Sequence, residues 1–402
     1  MTKQAANNSV DTHCYDFDQV IDRHDTDCIK WSANERLFGD KDVIPMWIAD
    51  MDFGSPEPVV RAIRERAEHG IYGYPLRPQS YYDAIINWMR KRHGWEIVRA
   101  WLADSPGVIP ALNAAVLAHT QPGDKVVIQP PVYHPFFRTI KNNGRQLVEN
   151  PLRVEDSRYV MDLANLEKQV DSRTKLLILC SPHNPVGRVW TRDELARLGE
   201  LCLAKNLIIV SDEIHSDLIY PWAKHTPLAS ISDELAQITV TCIAPSKTFN
   251  LAGLRTSTTI IPNPLLMGLF NNMSENLGLM GGNLFGIVGL EAAYRYGEEW
   301  LDQLLVYLQG NLEYLRNFTA AHIPQIQVVT PEGTYLVWLD CRALGLERAA
   351  LRELMLRKAR VALEDGGIFG PGGEGFQRMN IACPRAVLEE ALRRIENAVK
   401  GP

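Results

Sequence analysis

Four side chains with different chemistry stand where four apolar runs of the sequence end. These residues are Tyr133 after "KVVIQPPV", Asn184 after "LLILC", Asp212 after "LIIV" and Lys247 after "ITVTCIA". They carry a phenol, an amide, a carboxylate and an amine. Ligands of open parallel sheets bind beyond the carboxyl ends of the strands. If the four runs are neighbouring strands of one such sheet, we expect the four groups to meet at one edge.

Each of these residues has an ordinary structural explanation when it is considered alone. Asn184 precedes a proline, which is typical of a turn. Asp212 and the adjacent Glu213 suit a helix cap or a solvated surface. A lysine that follows a strand commonly lays its stem along the protein surface. Only the four groups together favour a ligand, and the ligand they favour is a cofactor with a carbonyl group.

The combination meets the chemical needs of pyridoxal phosphate. This cofactor requires an amine that binds its aldehyde covalently, and a carboxylate that keeps its pyridine nitrogen protonated. Lys247 and Asp212 supply these two groups. Asn184 supplies a donor to the ring 3-oxygen, and Tyr133 supplies an aromatic face over the ring. We therefore predict that Lys247 is the catalytic residue of a pyridoxal-phosphate site.

The cofactor phosphate needs an anion site, and the sequence predicts one at the start of a helix. The helix is predicted to begin after Pro110 in "PGVIPAL", which would leave free N–H groups near Ala111 and Leu112. Ser246 and Arg255 can add a hydroxyl and a guanidinium. The predicted cofactor-binding set therefore includes these four residues.

The elements that must position these groups follow from the same runs. Between residues 105 and 262 the runs are "KVVIQP", "KLLILCSP", "LIIVSDE", "ITVTCIA" and "TSTTIIP", all apolar without strict alternation. This pattern is typical of strands covered on both faces of a mostly parallel sheet. Helical patterns lie between them, one with a capping box from Thr191 to Glu194. An earlier helix is predicted over "EPVVRAIRERAEHG", with Ser55 as its cap and Pro56 at its first position.

The length of 402 residues favours two domains, and the pattern changes after the last of these runs. We predict an N-terminal tail and a segment packing with the small domain over residues 1–54. A three-layer α/β large domain follows over 55–290, and a smaller α+β domain over 291–402. The small domain is predicted from the helix "EWLDQLLVYLQGNLEYLRNF", the strands "TYLVWLDC" and "QRMNIAC", and the helices "ERAALRELMLRKAR" and "RAVLEEALRRIENAVK". The first dozen residues are predicted to be disordered.

Composition and charge argue against several classes of function. The net charge of −6 provides no broad basic field for nucleic acid or an anionic membrane. No apolar run has the length of a membrane span, and "MTKQAANNSV" lacks the apolar core of a signal peptide, so a cytoplasmic location is expected. The seven cysteines are widely spaced and without C-x-x-C, which favours reduced core residues. No metal site is predicted.

The motifs, taken in order, resemble those of fold-type I pyridoxal-phosphate enzymes of the class I/II aminotransferase group. More narrowly, they resemble the MalY/PatB-type cystathionine β-lyase-like C–S lyases. The matching stretches are "TDCIKW", "MWIADMDF", "YGY", "PGVIPAL", "PPVYHPF", "SPHNPVGRVW", "SDEIHSDL", "APSKTFNLAGL", "PEGTYLVWLD" and "GEGFQRMNIACPR". The resemblance implies a three-layer large domain with a mostly parallel sheet, and a smaller α+β domain.

The resemblance also implies roles that the strand ends do not suggest. Arg378 in "FQRMN" matches the arginine that holds the substrate α-carboxylate through a bidentate fork. The backbone around Ile48 and Ala49 matches the loop beside that carboxylate. Tyr74 in "YGYP" matches a tyrosine that reaches the cofactor phosphate of a neighbouring subunit, which implies a homodimer. Lys247 matches the lysine that holds the cofactor as a Schiff base.

One predicted cofactor-binding residue departs from the wider superfamily. Many aminotransferases have a tyrosine three residues after the aspartate, where it hydrogen-bonds the cofactor oxygen. Here the position is His215, in "DEIH", which is usual in the C–S lyase branch. The departure favours that branch and leaves two roles open for His215, as a packed residue or as a catalytic one.

The predicted reaction is β-elimination from an L-cysteine S-conjugate such as cystathionine, giving thiol, pyruvate and ammonia. Lys247 would act as the general base that removes the Cα proton. The alternative is an aminotransferase, or a decarboxylating or deaminating enzyme of a biosynthetic pathway. A regulatory binding role without catalysis is a third possibility, although the polar N-terminal tail is too short for a DNA-binding domain. The thiol side of the substrate is left open.

Overall fold

A computed structural model describes residues 14–401, so the predicted disordered tail lies outside the described residues. The seven-stranded sheet has the spatial order Leu102–Ser105, Ser257–Ile260, Thr239–Ile243, Ile208–Asp212, Thr174–Cys180, Lys125–Ile128 and Gln146–Glu149. Only Ser257–Ile260 runs against its neighbours. The other six strands share one direction, since Leu102–Ser105 is antiparallel to that strand in turn. The predicted mostly parallel sheet is confirmed.

Helices cover both faces of this sheet, which explains why its strands are apolar without alternation. In the Thr174–Cys180 strand, Leu176 packs in one core cluster with the Val108–His119 helix. The next residue, Leu177, packs on the opposite face with the Arg192–Ala204 helix. The three layers predicted from the sequence are therefore present.

The remaining helices of this region connect or extend the layers. They are Gln79–His93, Pro135–Lys141, Leu163–Gln169, Asp233–Ile238, Pro245–Thr248, Pro264–Asn276 and Leu284–Tyr296, with 3₁₀ turns at Arg99–Trp101, Leu228–Ser230 and Ala252–Leu254. A short hairpin pairs Arg153–Glu155 with Arg158–Val160. The capping box of the Arg192–Ala204 helix forms as predicted, with reciprocal bonds between Thr191 and Glu194.

The first long helix begins one residue later than predicted. It spans Glu57–Glu68, and Pro56 is its N-cap with an extended ψ of 135°. The prediction that Ser55 caps this helix is wrong, because its hydroxyl instead donates to the backbone oxygen of Asn250 at 3.4 Å. The cause is tertiary, since Asn250 lies almost two hundred residues away in the chain.

The C-terminal part contains a four-stranded antiparallel sheet in the order Gln327–Val329, Leu336–Asp340, Phe376–Asn380 and Glu364–Asp365. Its helices are Glu298–His322, Arg348–Glu353 with a π turn over Leu354–Lys358, and Arg385–Lys400, with 3₁₀ turns at Arg342–Leu344 and Gly366–Phe369. All the predicted elements of this region form. None of the helices within residues 14–401 combines the length and apolarity needed to cross a bilayer.

The N-terminal segment begins with the short helices Ile29–Ser32 and Asn34–Phe38. It then joins the C-terminal part, because Ile44–Pro45 pairs in parallel with Val361–Ala362. This pairing agrees with the predicted packing of residues 1–54, while the domain boundaries themselves stay a prediction. Five of the seven cysteines are buried and all seven are free, as predicted, although Cys14 is exposed.

Candidate active site

A cavity of about 230 Å³ opens at the carboxyl ends of the central strands. The residues that line it are Ala49, Pro106, Gly107, Val108, Ile109, Pro110, Tyr133, Cys180, Asn184, Asp212, Ile214, His215, Ser246, Lys247, Ala252, Arg255 and Thr256. The four strand-end residues named from the sequence are all among them. Their predicted meeting at one edge is therefore confirmed, and their individual roles stay predictions.

The carboxylate of Asp212 is buried with few partners. Asp212 is the last residue of the Ile208–Asp212 strand, and it lies opposite Cys180 of one neighbouring strand and Cys242 of the other. Within residues 14–401 its side chain accepts one hydrogen bond, from the N–H of Ile214 at 3.2 Å. Burial raises the pKa of Asp212 to about 7, against the opposing effects of that bond and of the Lys247 charge. Such a carboxylate has a free oxygen for a protonated ligand atom.

The amine of Lys247 is the second reactive group. It lies half-buried in the short helix Pro245–Thr248 and donates from Nζ to the backbone oxygen of Ala49 at 2.6 Å. The loss of hydration lowers the pKa of Lys247 to about 8, although the charge of Asp50 acts in the opposite direction. A larger fraction of uncharged amine is therefore available near neutral pH than for an exposed lysine.

The loop that contains Ile48 and Ala49 is held from the four-stranded sheet. The Ala49 oxygen also accepts from the Tyr335 hydroxyl at 3.1 Å. The Ile48 oxygen accepts from Nδ2 of Asn380 at 2.7 Å. Asn380 stands two residues after Arg378 on one strand, and Arg378 itself donates to the oxygen of Trp47, so the loop and this arginine are neighbours, as the family resemblance implied.

The guanidinium of Arg378 is buried and incompletely bonded. Its Nη1 donates to Oδ1 of Asn184 at 3.1 Å, and its Nη2 donates to the backbone oxygen of Trp47 at 2.6 Å. Its Nε is buried without a partner among the described residues. The ring of Phe369 lies 5.1 Å from the guanidinium carbon. The contact with Arg378 leaves the amide N–H₂ of Asn184 as a donor for a ligand.

The anion site predicted at Ala111 and Leu112 is misplaced. The helix spans Val108–His119, so it begins before Pro110, and the Ala111 N–H donates to the oxygen of Gly107 at 3.1 Å. Both predicted residues are fully buried and absent from the cavity wall. Proline is tolerated in the first turn of a helix, where N–H groups have no helical acceptor. The residues at the helix start that line the cavity are instead Val108 and Ile109, in the first turn, where backbone N–H groups are available to an anion.

Two further predicted residues line the same cavity. Ser246 stands beside Lys247 in the short helix. Arg255 has a φ of 47°, in the left-handed region that few non-glycine residues adopt. Within the part of the chain that the structure describes, its guanidinium has neither an ion pair nor a hydrogen-bond partner. Arg255 is therefore a free cation close to the helix start at Val108, which suits a phosphate.

Tyr133 and His215 are neutral cavity groups. Burial raises the pKa of Tyr133 to about 12, and burial lowers the pKa of His215 to about 3. The His215 ring lies 6.1 Å from that of Tyr335, and its Nδ1 has no partner within residues 14–401. An uncharged imidazole cannot act as an acid near neutral pH, which disfavours one form of the catalytic role left open for it.

Tyr74 lies apart from the other predicted site residues. Its side chain is fully exposed and it does not line the cavity of its own chain. Three neighbouring apolar side chains, Tyr72, Leu76 and Met280, are exposed as well. The Tyr72 ring packs 5.8 Å from that of Phe285, which brings the two segments together.

Comparison with known proteins places this geometry in a family. The model of the family described as "Aminotransferase class I and II" matches residues 26–395. The chain belongs to this family. The sequence resemblance and the predicted fold-type I architecture are therefore confirmed for nearly the whole described chain.

Three relatives of this aminotransferase-family chain are informative. "Cystathionine beta-lyase PatB" of Bacillus subtilis (strain 168) is 47% identical over 95% of this chain and 99% of its own. The structure of cystalysin from Treponema denticola, which contains a pyridoxal 5′-phosphate cofactor, superposes with a TM-score of 0.94 at 38% identity, covering 96% and 99%. That of the PLP-bound C–S lyase from Staphylococcus hominis has a TM-score of 0.89 at 33% identity, covering 97% and 99%.

The sequence reasoning missed several residues at the cavity. Cys180 closes the Thr174–Cys180 strand, so the strand-end argument that found Asp212 could have found it too. Tyr335 does not line the cavity but directly precedes the Leu336–Asp340 strand and donates to the Ala49 oxygen at its edge, and its only signal was the family-like stretch "PEGTYLVWLD". Thr256 begins the predicted run "TSTTIIP", and it was missed because the argument considered only residues that follow each run, whereas this strand is antiparallel and starts at the edge where its neighbours end.

Proposed function

We propose that this chain is a pyridoxal-phosphate-dependent C–S β-lyase that cleaves L-cysteine S-conjugates such as cystathionine. The products are a thiol, pyruvate and ammonia. The observation that carries the proposal is the buried carboxylate of Asp212, with one hydrogen bond, in the same cavity as the desolvated amine of Lys247. Similarity to a cystathionine β-lyase over 95% of the chain supports the reaction class.

The cavity residues fit this cofactor. Asp212 offers a carboxylate to the protonated ring nitrogen, and Lys247 offers the amine that binds the aldehyde. Asn184 would donate to the ring 3-oxygen, and Tyr133 would supply an aromatic face to the ring. When bound, the cofactor withdraws electrons from the Cα atom of an amino acid.

The cofactor phosphate would be held at the start of the Val108–His119 helix, where several cavity residues offer donors. The N–H groups of Val108 and Ile109, the hydroxyl of Ser246 and the guanidinium of Arg255 supply the donors. These donors replace the Ala111 and Leu112 groups expected from the sequence.

The chain's own residues then direct the elimination. Arg378 holds the substrate α-carboxylate with its free Nε–H and an Nη2–H, in the bidentate geometry that guanidinium groups favour. Lys247, freed when the substrate amino group takes its place at the aldehyde, would take the Cα proton onto Nζ. The electron pair left at Cα forms the bond to Cβ as the Cβ–S bond breaks, and sulfur leaves with its electron pair. The proton on Lys247 is then available to the thiolate. Water hydrolyses the remaining enamine to pyruvate and ammonia.

Product analysis tests the proposal. The purified holoenzyme is incubated with L-cystathionine and with S-alkyl cysteines of graded size, and thiol, pyruvate and ammonia are measured. We expect equal amounts of the three products, and none from Lys247→Ala. Amino-group exchange with a keto acid, in the absence of thiol release, would show an aminotransferase. Carbon dioxide release would show a decarboxylating enzyme.

We also propose that two copies of the chain form a homodimer with shared sites. The exposed Tyr74, with Tyr72, Leu76 and Met280 around it, supports this proposal, because apolar patches of this kind mark contacts between proteins. In the dimer, the Tyr74 hydroxyl would reach the phosphate in the other chain's cavity.

Hybrid dimers test the sharing. Mixing Tyr74→Phe chains with Lys247→Ala chains should restore activity, because one site of each hybrid has both native groups. Absence of recovery in verified hybrids would contradict the proposal.

A further inference from the structure

Glu364 is a half-buried acid beside the proposed carboxylate-binding arginine, and the predicted site did not include it. It pairs directly with Arg378 across two antiparallel strands, Glu364–Asp365 and Phe376–Asn380. Side chains of a directly opposed pair lie on the same face of a sheet. The Glu364 Oε2 accordingly lies 3.4 Å from Nη2 of Arg378, and the Glu364 side chain is 16% exposed.

The position of Glu364 matters because of the way a guanidinium binds a carboxylate. The Nε–H and one Nη2–H of arginine point in the same direction and form a two-donor fork. In Arg378 the Nε is free among the described residues, whereas Nη2 is already shared between Trp47 and Glu364. A carboxylate that enters this fork must therefore share Nη2 with the Glu364 side chain.

Charges around the cavity strengthen this competition. Of the residues that line the cavity, the cations are Lys247 and Arg255, and the proposed function assigns both to the cofactor. Arg378 is then the cation left for the substrate, with Glu364 already beside it. One substrate carboxylate shares this cation with Glu364, and a second carboxylate would have no partner.

We propose that Glu364 competes with the substrate α-carboxylate for Arg378, and thereby selects amino acids with neutral or zwitterionic side chains over dicarboxylic ones. The inference rests on the proposed function, since it assumes that an amino acid binds at Arg378. Glu364 is a specificity-determining residue in this account, and it takes no part in bond breaking.

The neighbouring acid does not share this role. Asp365 accepts from Nε of Arg348 at 2.7 Å and from the Gly367 N–H at 2.8 Å, so its carboxylate is occupied by local contacts. Burial raises the pKa of Glu364, against the lowering effect of the Arg378 charge. The ionised form of Glu364 is thus poorly solvated, and Arg378 is its main source of stabilisation.

Equilibrium binding to the holoenzyme tests the inference. The ligands are L-alanine, L-aspartate and L-alaninamide, which has no carboxylate, and binding is followed by calorimetry. In Glu364→Gln we expect the Kd of L-alanine to fall roughly tenfold, because a negative charge next to the fork is removed. The affinity for L-aspartate should increase more than that for L-alanine, and the affinity for L-alaninamide should not increase. Glu390→Gln, which removes a carboxylate from arginine pairs on the Arg385–Lys400 helix, should change none of the three.

Kinetics separate this role from a structural one. With an S-alkyl cysteine, Glu364→Gln should lower KM and change kcat less than twofold, a split that loss of packing would not produce. Glu364→Asp keeps the charge but shortens its reach, so its gain in L-alanine affinity should be intermediate.

Unchanged or weaker binding of L-alanine in Glu364→Gln would overturn the competition, and so would an equal gain for L-alaninamide. A protein that shows the expected gain but releases no thiol keeps this inference and loses the proposed function.

Discussion

Two aspartates only five residues apart, Asp212 and Asp217, are both buried yet have opposite surroundings. Asp217 accepts three hydrogen bonds from side chains, from Trp88 Nε1 at 3.0 Å, His93 Nε2 at 2.8 Å and Thr248 Oγ1 at 2.7 Å. Among the described residues, Asp212 accepts a single hydrogen bond, from the backbone N–H of Ile214, and it lines a cavity.

The pKa values diverge accordingly. Burial alone raises the pKa of both carboxyls. At Asp217 the hydrogen bonds and the charge of His93 outweigh burial, so the pKa falls below its ordinary value. At Asp212 burial prevails and the pKa rises to about 7. Asp217 is therefore stabilised by the protein, whereas Asp212 needs a ligand to stabilise its charge.

The two regions meet at the predicted catalytic lysine. Thr248, which donates to Asp217, follows Lys247 directly in the short helix Pro245–Thr248. The Asp217 network thus fixes the turn that carries the amine, and Asp212 faces the space where the amine acts. Asp217 therefore supports the turn that carries Lys247, whereas Asp212 lines the cavity itself.

The largest expected effect is the loss of catalysis in Asp212→Asn. An amide cannot hold a positive charge on a ligand nitrogen, so pyruvate release should slow about a thousandfold, equivalent to ~4 kcal/mol of barrier. Product assays on the reconstituted protein measure this rate. Asp302→Asn, which removes an exposed acid, is the control and should keep the wild-type rate. A rate within tenfold of wild type would remove Asp212 from the site.

The comparison also predicts a pH dependence for the cofactor-free protein. The folded-state pKa of Asp212 lies above its ordinary value of 3.8, so the folded chain holds a proton that the unfolded chain has lost. The free energy of unfolding should therefore fall as the pH rises from about 4 to about 7. Between about pH 5 and about pH 7.5 we expect a fall of ~3 kcal/mol, which Asp212→Asn removes. Urea unfolding of both proteins measures the difference, and parallel pH profiles would contradict it.

A smaller loss of stability is expected for Asp217→Asn. The amide presents a donor to groups that are already donors, so the free energy of unfolding should fall by about 2 kcal/mol at neutral pH. The folded-state pKa of Asp217 is depressed, so this loss shrinks as the pH falls through that pKa. Thermal and urea unfolding test the change. If the Asp217→Asn protein were as stable as the wild type but had lost catalysis, the proposed structural role of Asp217 would be wrong.

The smallest effect is expected for Thr248→Val. Removing one donor to Asp217 should lower the free energy of unfolding by about 1 kcal/mol. Borohydride should still trap the cofactor on Lys247, because the lysine itself is unchanged. Peptide mapping after reduction measures this, and trapping on another lysine would show that Lys247 is not the residue that binds the cofactor.

Local pattern was enough to find the strands and the groups at their ends. An apolar run needs only its own residues to predict a buried strand, and parallel strands bring their carboxyl ends to one edge. Tyr133, Asn184, Asp212 and Lys247 were found in this way. Family resemblance added Arg378, Ile48 and Ala49. The helix start was misplaced by three residues because Pro110 is as acceptable inside a first turn as before it.

What the sequence alone determined is therefore the identity of the chemical groups and the edge of the sheet where they meet. Only the tertiary structure decided which buried acid has its hydrogen bonds formed, because two of the three side-chain partners of Asp217, His93 and Trp88, lie 124 and 129 residues earlier. The same holds for Glu364, which faces Arg378 through strand register rather than sequence spacing. Hydrogen bonds and charge pairs act over a few ångströms of space, and a linear pattern does not encode such distances.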